Sequence, residues 1–506
     1  MITLMPSVNR QLSSILVTII IILSIISVIP TTAGSVQQAG TFVEGDITED
    51  TTWSPSDGPY RVVSSIAIQK NVTLTIEPGT TVEFIDDTGI TLGGDVQATG
   101  SAENPITMRS VEDGNYGFYN GDEILDDNKY ANQLRFEHVQ FRDGFTGFDL
   151  QSTRGNVTFH NVTTNAPISF ESGGPTITVT DSQFNGTSFG IRAGQATDVT
   201  IQGNTFQGAS QTAVLIETSN KNSPIRNVTI VENRIEGSDG SGILLSSTTD
   251  TGAANFQAPI ENVQIENNIV RQNAEHGIRV RAKPQQDLGG VKASISETKI
   301  VANNVRSNGG TGIGLRSLST GSPGSTVARN IVLDHQTGLV VESVRTNVTR
   351  NAIGYNQLGV KIDNTNQNVL NVTRNNIYQN EVGLSSTGNA NATMNYWGDE
   401  TGPGHDANPE GEGDTIEADA GQTDFLPFAD TQIQNVPLPE PQSQQSTATE
   451  TGNANNQNDD ISGNDDVADF EDPSQIPGPL SIGQILWGVM VLVPLLVVGL
   501  LIKIIR

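Results

Sequence analysis

Short runs of alternating apolar and polar residues, separated by turns that contain Asn or Gly, fill most of this chain. Residues 227–245 (NVTIVENRIEGSDGSGILL) hold three such runs, with a turn Asn between the first two and a Gly-rich bend before the third. Similar stretches begin at residues 198, 261, 345 and 369. Alternation with a period of two predicts β-strands, and a unit this small must bury its apolar face against its neighbours. The pattern therefore predicts a solenoid of stacked strands.

The length of the repeat follows from one apolar residue in the middle run of each unit. We use as markers Phe141, Val162, Phe184, Phe206, Ile235, Val270, Val305, Ile331, Ile353 and Ile377. Their spacing is most often about 22 residues, the length of one coil in a three-sided winding of parallel strands. Each coil would add about 4.8 Å to the length of the solenoid.

Three stretches outside the central repeats resemble a known family. Residues 71–84 (NVTLTIEPGTTVEF) and 103–108 (ENPITM) resemble the opening coils of secreted right-handed parallel β-helix proteins. Residues 395–404 (NYWGDETGPG) resemble the motif that closes many surface proteins of this kind. The repeats of residues 130–395 are also similar to the β-helix of the accessory protein that loads copper into nitrous oxide reductase. The resemblance implies an all-β, single-stranded, right-handed parallel β-helix.

The composition divides the rest of the chain into segments. We predict a signal peptide (1–33), an N-terminal cap with the first coils (34–110), a projecting loop (111–131), the β-helix repeats (132–394), a C-terminal cap (395–435), an acidic disordered stalk (436–479) and a transmembrane anchor (480–506). The last segment has about 23 mostly apolar residues before Lys503 and Arg506, which suits a spanning helix with a cytoplasmic end. Its alternative is removal in favour of a lipid attachment. The chain is therefore expected at the cell surface, with the β-helix outside the membrane.

The charge balance excludes one class of partner and suggests a source. The chain has 56 Asp and Glu against 27 Lys and Arg, with a net charge of −29, which is the opposite of a nucleic-acid-binding balance. A surface rich in acids and poor in Lys is similar to that of proteins from salt-loving organisms, so we expect a halophilic, haloarchaeal protein. No Cys is present, which excludes disulfides, thiolate metal sites and a Cys nucleophile.

Basic residues collect on one predicted face. If the third run of each coil is a strand, its outward residues form two columns: Asp149, Ser169, Arg192, Leu215, Leu244, Arg279, Gly314, Val340 and Lys361; and Gln151, Glu171, Gly194, Glu217, Ser246, Arg281, Arg316, Glu342 and Asp363. Long insertions at 218–226, 247–260, 282–297 and 318–324 follow this same run, and insertions gathered on one side of a solenoid usually flank its binding face. Arg192, Arg279, Arg281, Arg316 and Lys361 are therefore candidates for binding acidic sugars. The alternative is that they only neutralise neighbouring carboxylates.

Catalytic and metal-binding signals are weaker. Asp149 and Glu171 form a speculative acid/base pair across one coil, but the Asn-Thr-Asp, Asp-Asp and Gly-His-Gly motifs of polygalacturonase-like enzymes are absent from this face. The pair Asp334-His335 resembles a short pectate-lyase-like sequence, and most of the five His are expected in turns or at the surface. No cofactor is predicted. Acidic clusters suit Ca²⁺, whose ligands are oxygens; they are Asp122, Glu123, Asp126 and Asp127, and Asp399, Glu400 and Asp406.

Eight N-x-S/T sequons make the chain a candidate glycoprotein. They lie at Asn71, Asn156, Asn161, Asn185, Asn227, Asn347, Asn371 and Asn391. Asn also suits tight turns, because it tolerates left-handed backbone angles, so the sequons have a purely structural explanation as well.

These observations predict a membrane-anchored, cell-surface protein with a non-catalytic binding or structural role. Its expected partner is carbohydrate or a cell-envelope glycan. The first alternative is an exported polysaccharide-active lyase, hydrolase or epimerase that uses the Arg-lined face. A purely structural envelope or adhesion element is the second alternative.

Overall fold

Three long parallel sheets, joined coil by coil, form the protein. The computed structural model describes residues 40–111, 114–120, 133–150, 155–170, 176–191, 196–218, 224–248, 257–283, 292–316, 324–342, 345–363, 369–418, 423–434 and 436. These residues form 43 strands, and the three sheets contain 14, 14 and 15 of them. From β2 to β41 the chain visits the three sheets in the same order, and each strand pairs with the equivalent strand of the next coil. The prediction of an all-β parallel solenoid is confirmed.

Sheet 1 contains the first strand of each coil and has 15 members. They are β2 (Thr51–Trp53), β5 (Thr73–Ile76), β8 (Asp95–Thr99), β11 (Gln133–Glu137), β14 (Asn156–His160), β17 (Thr176–Thr180), β20 (Asp198–Gln202), β23 (Ile225–Val231), β26 (Gln257–Glu266), β29 (Lys292–Val301), β32 (Ser325–Ala328), β35 (Thr346–Thr349), β38 (Leu370–Thr373), β41 (Ala390–Asn391) and β43 (Thr423–Asp424).

Sheet 2 contains the short middle strands. They are β1 (Thr41–Val43), β3 (Tyr60–Val62), β6 (Thr81–Ile85), β9 (Ile106–Val111), β12 (Val139–Phe141), β15 (Thr163–Thr164), β18 (Gln183–Asn185), β21 (Thr205–Gln207), β24 (Arg234–Glu236), β27 (Ile269–Arg271), β30 (Asn304–Arg306), β33 (Ile331–Leu333), β36 (Ala352–Gly354) and β39 (Asn376–Tyr378).

Sheet 3 contains the last strand of each coil. They are β4 (Ile66–Ile68), β7 (Thr88–Leu92), β10 (Tyr116–Asn120), β13 (Phe145–Leu150), β16 (Ile168–Phe170), β19 (Phe189–Ile191), β22 (Val214–Thr218), β25 (Ile243–Thr248), β28 (Ile278–Lys283), β31 (Thr311–Arg316), β34 (Thr337–Val341), β37 (Leu358–Ile362), β40 (Val382–Ser386) and β42 (Ile416–Ala418).

The core lies inside the winding and changes character along it. Stacked rings fill the first half, including Phe84 on Tyr116, Phe118 on Phe148, and Phe184 on Phe206. Ile, Val and Leu fill the second half, and Trp397 closes the far end of the core in the predicted C-terminal cap. Each fully buried aromatic or aliphatic side chain contributes about 2 kcal/mol through removal from water, so stacking of the coils stabilises a unit that is too small to fold alone.

Three local predictions need correction. The loop predicted at 111–131 is wrong for Tyr116–Asn120, which forms strand β10 and buries Tyr116 in the core. Residues 121–132 lie outside the described residues. In sheet 2 the residues in register with the other markers are Thr164 and Val332, and not the predicted Val162 and Ile331. An apolar residue stands close by in both coils, so alternation alone does not fix the register.

Two buried hydrogen-bonded ladders run along the corners of the winding, and sequence reasoning missed both. In the first, the side-chain amide of each Asn donates to the side-chain oxygen of the next over Asn204, Asn233, Asn268, Asn303, Asn330, Asn351, Asn375 and Asn395. The residue before each ladder Asn often has left-handed backbone angles, as at Glu232, Ala302 and Arg350. The ladder Asn residues are thus inward hydrogen-bonding groups, and the residue before each of them, of which Asn267 is also an Asn, takes the left-handed position.

The second ladder lies at the corner between sheets 2 and 3 and contains His335. It runs through Asn273, Asn308, His335, Asn356, Asn380 and Asp414. The Nε2 atom of His335 lies 3.1 Å from the amide nitrogen of Asn308, and its Nδ1 atom lies 3.2 Å from the side-chain oxygen of Asn356. His335 lies in the bend between β33 and β34, as expected for a turn residue, and it is buried.

Candidate functional site

The outward surface of sheet 3 carries the basic residues that the sequence grouped together. In register, Leu244 pairs with Arg279, Arg279 with Gly314, Gly314 with Val340, and Val340 with Lys361. In the neighbouring column Glu217 pairs with Ser246, Ser246 with Arg281, and Arg281 with Arg316. The structure therefore places Arg279, Arg281 and Arg316 side by side. We call these three residues the arginine cluster.

Arg192 is not a neighbour of Leu215 in these columns. Ser169 pairs with Gly190, and Gly190 pairs with Leu215, so the predicted register is wrong by two residues. The stretch Gly190–Ile191–Arg192 looks like Gly277–Ile278–Arg279 in sequence, but Phe189 occupies the position of Ile278. Arg192 itself lies outside the described residues.

Two lengthened strands border the arginine cluster on one side. Strands β26 and β29 each have ten residues, and they stay paired from Gln257 opposite Lys292 onwards. Their first residues fall in the insertions predicted at 247–260 and 282–297, so this part of the insertions is strand. The backbone N–H of Ser294 donates to the Ser247 hydroxyl at 3.0 Å, which ties the extension to sheet 3.

Arg281 and Arg316 form the inner part of the cluster. Arg281 points outward but is only 8% exposed, and its Nε donates to the Ser246 hydroxyl at 3.3 Å. Arg316 forms a salt bridge with Glu342 at 3.3 Å. Burial is the largest influence on the Glu342 carboxyl and raises its pKa. Asp363 acts in the same direction, whereas the positive charges of Arg316, Lys361 and Arg279 lower the pKa by less. The neutralising alternative thus holds for Arg316.

Arg279 has a different environment. It forms no salt bridge with any residue that the structure describes, and its Nη1 lies 2.9 Å from Nε2 of His276. Burial, together with the positive charges of Arg281 and Arg316, lowers the pKa of Arg279 to about 10. Like charges on adjacent strands are destabilising, and Glu275 and Glu342 act on Arg279 in the opposite direction without forming a salt bridge with it.

Gly314 leaves a gap in the outward row beside Arg279. The nearest atom to a Cβ built on Gly314 would be Cγ2 of Thr311, at 3.7 Å. Leu244 (6% exposed) and Val340 (2% exposed) lie outside the core but are also deeply set. In this column Arg279 lies on one side of Gly314 and Val340 on the other, with Leu244 beyond Arg279. Guanidinium groups close to apolar side chains suit a ring with an acidic substituent.

Arginines on the other two sheets show how isolated charges are balanced in this protein. On sheet 2, Glu236 binds both Arg234 and Arg271, and Glu83 binds both Arg61 and Arg109. On sheet 1, Arg226 binds Glu261. In these groups a carboxylate lies between the guanidinium groups, whereas in the arginine cluster Arg279 and Arg281 lie beside further arginines.

The structure gives less support to the remaining predicted sites. Asp149 is exposed and pairs with Ser169, while Glu171 lies outside the described residues, so the speculative pair stays a prediction. Asp122, Glu123, Asp126 and Asp127 also lie outside them. The Asp399 side chain accepts hydrogen bonds from its neighbour Thr401, and the described part of the chain contains no group of three His, Cys, Asp or Glu suited to a metal ion.

All eight sequon asparagines lie within the residues that the structure describes. Six of them belong to or directly precede sheet 1 strands, namely Asn71, Asn156, Asn227, Asn347, Asn371 and Asn391, while Asn161 follows β14 and Asn185 ends a sheet 2 strand. All are exposed except Asn391, which is half-buried. Asn391 donates to Asn371, and Asn371 donates to Asn347, at 3.1 and 3.3 Å. Their glycosylation stays a prediction.

Within the described ranges no helix has the length and apolarity needed to cross a bilayer. The predicted signal peptide (1–33) and transmembrane segment (480–506) lie outside those ranges.

Comparison with known proteins finds one family model that matches part of the winding. The family described as "Right handed beta helix region" matches residues 96–281 and 168–317. A stretch of 66 residues is 35% identical to the Drosophila melanogaster "Protein bark beetle", and it amounts to 13% of this chain and 2% of that protein. The chain thus spans only a small part of this curated relative.

Solved structures with a similar winding are distant in sequence. A mutant of the periplasmic alginate epimerase AlgG has 13% identity and a TM-score of 0.40, over 75% of this chain and 84% of that one. The A-module of an Azotobacter vinelandii mannuronan C-5 epimerase has 13% identity and a TM-score of 0.31, over 77% and 91%. A pectate lyase has 10% identity and a TM-score of 0.25, over 75% and 80%. Nothing about the sheet 3 surface follows from such low similarity.

Proposed function

We propose that this chain, a parallel β-helix, binds acidic glycans through its arginine cluster. One observation carries the proposal: Arg279, Arg281 and Arg316 lie together on sheet 3, and only Arg316 has a salt bridge with a described residue. Guanidinium groups on neighbouring strands repel one another, and an anion bound among them removes that repulsion. Guanidinium forks match the geometry of carboxylate and sulfate groups.

The gap at Gly314 supports a saccharide as the bearer of that negative charge. Val340 lies on one side of it and Arg279 on the other, with Leu244 beyond Arg279. Apolar contacts with a few placed polar groups are typical of small-ligand sites. Repetition of similar coils along the sheet would allow a polymer to lie across several strands.

A glycan array on the full-length protein tests this proposal. The array carries polyuronates, sulfated polysaccharides and neutral polysaccharides, and it is run at high salt with and without Ca²⁺. We expect binding to acidic glycans and weak binding to neutral ones. Arg279→Gln/Arg281→Gln should abolish the signal.

The matched control is Arg234→Gln/Arg271→Gln on sheet 2, which removes the same charge from an arginine pair that binds Glu236. Equal binding by both double variants would contradict the proposal. Cleavage or epimerisation of a bound glycan would assign the same surface to an enzyme.

We also propose that the β-helix is displayed outside the cell, with residues 1–33 as export signal and residues 480–506 as anchor. The proposal rests on the apolar segments and on the basic residues after the second one. Cell fractionation followed by protease treatment of intact cells tests it. A soluble protein released without proteolysis would contradict the anchor.

A further inference from the structure

His276 is surrounded by hydrogen-bond donors. The backbone N–H of Thr311 donates to Nδ1 of His276 at 3.0 Å, and on the other side Nη1 of Arg279 lies 2.9 Å from Nε2. A neutral imidazole has one donor nitrogen and one acceptor nitrogen, while a guanidinium has donors only. Since the Thr311 amide is a fixed donor, Nδ1 is the acceptor and Nε2 carries the hydrogen. That N–H then points at the N–H groups of Arg279.

No other protonation state of the His276 imidazole removes this contact between two donors. With the hydrogen on Nδ1, the ring would face the Thr311 amide donor to donor. An imidazolium has donors on both nitrogens and would oppose both partners. Burial, and then the charges of Arg279, Arg316 and Arg281, also lower the pKa of His276 to about 4. An acceptor between Nε2 and the guanidinium would satisfy both donors.

The surroundings define the charge of that acceptor. Arg281 and Arg316 lie on the same side of the sheet, in register with each other, so a negatively charged acceptor is favoured. Three carboxylates act on these arginines from the protein itself, Glu217, Glu275 and Glu342. Of these, Glu342 binds Arg316, and Glu275 accepts from the Ser241 hydroxyl at 3.0 Å. Gly314, next to Arg279 in register, is buried and has no side chain, and the nearest atom to a Cβ built on it lies 3.7 Å away.

We propose that an oxyanion of an acidic glycan, a carboxylate or a sulfate, binds between Nε2 of His276 and the guanidinium of Arg279. His276 acts in this subsite as a neutral donor whose orientation the Thr311 amide fixes. The inference rests on the proposed function and names the group of the glycan that is recognised. It makes His276 a specificity-determining residue in addition to the arginines.

Two substitutions of His276 separate its two nitrogens. In His276→Asn, the side-chain oxygen takes the place of Nδ1 and accepts from the Thr311 amide, but no donor remains at the position of Nε2. In His276→Gln, the amide nitrogen restores a donor near that position. We expect affinity for the acidic ligand to fall about tenfold in His276→Asn, as for the loss of one hydrogen bond to a charged group, and to recover mostly in His276→Gln.

Calorimetric titration of the full-length protein with an oligouronate, a sulfated oligosaccharide and a neutral oligosaccharide provides the measurement, with thermal unfolding as the check on folding. A loss confined to the oligouronate or to the sulfated sugar identifies the oxyanion. Unchanged affinity in His276→Asn, together with lost affinity in Arg279→Gln/Arg281→Gln, would overturn this subsite and leave the proposed function intact. No binding of either acidic sugar by the unsubstituted protein would overturn both.

Discussion

Two histidines on the same winding show how differently polar groups can be placed. His335 lies in a buried ladder, where its Nε2 faces an amide donor and its Nδ1 faces an amide oxygen. His276 lies beside the arginine cluster, where both nitrogens face donors. Burial lowers both pKa values to about 4. The first histidine completes the protein's own structure, whereas the second is complete only with an external acceptor.

The largest effect is expected where the ladder is broken. Asn303 donates to Ile265, Val301 and Asn330, and it accepts from both nitrogens of Asn268. Asn303→Ala leaves several buried groups without partners, so we expect the free energy of unfolding to fall by on the order of 4 kcal/mol. Chemical denaturation measures the change. A loss below about 1 kcal/mol would mean that the ladder contributes little.

The next effect concerns acid. The folded-state pKa of His335 is about 4, below the unfolded value of about 6.5. The unfolded chain therefore binds the proton more readily, and stability that is present above pH 6.5 is lost as pH falls towards 4. His335→Asn, which restores the residue type of the ladder, should reduce this loss by up to about 3 kcal/mol.

Unfolding free energies of both proteins between pH 7 and pH 4 check this prediction. If the unfolding free energy fell by the same amount in both proteins between pH 7 and pH 4, the pKa of His335 would not be lowered in the folded state. His276 contributes in the same direction, so it should be left unchanged in this comparison.

Filling the gap on sheet 3 should affect binding more than folding. Gly314→Val places a branched side chain beside Arg279 and should weaken binding of an acidic oligosaccharide about tenfold, or about 1.4 kcal/mol. Gly190→Val is the matched control, because Gly190 lies in the same outward column, several coils away, with Leu215 at 3.7 Å from an added Cβ. Equal affinities in the two variants would remove the gap from the site.

The smallest effect is expected at the paired arginines of sheet 2. Arg234 and Arg271 share Glu236 at the surface, and such exposed pairs contribute about 0–1 kcal/mol. Arg234→Gln should therefore change neither the unfolding free energy nor glycan binding by more than that amount. A large loss of glycan binding in this variant would show that the ligand contacts more than the sheet 3 surface.

The sequence predicted the winding well because alternation with period two decides which side chains face the core. Ile243, Ile278 and Ile313 follow Gly in their coils, and the structure pairs them in register. Arg192 was misplaced because Gly190–Ile191 imitates that pattern two residues too late. A register shift of two residues leaves every side chain on the same face of the sheet, so the alternating pattern does not reveal it.

The ladders and the donor opposition at His276 could not be predicted in the same way. Whether a corner Asn points inward depends on the backbone angles of the residue before it, and Glu232 and Ala302 adopt left-handed angles despite their residue types. His276 and Thr311 are 35 positions apart, and only the register of two coils brings the amide to the ring. The sequence identified the arginines, but not the histidine that lies beside them.

The most direct test of the central claim is the tautomer of His276, read by ¹⁵N NMR of the imidazole nitrogens in the full-length protein, with His335 as the internal reference. We predict hydrogen on Nε2 in His276 and on Nδ1 in His335, and a shift of the His276 signals alone when an acidic oligosaccharide is added. Hydrogen on Nδ1 of His276, or unchanged His276 signals at saturating ligand, would contradict the account.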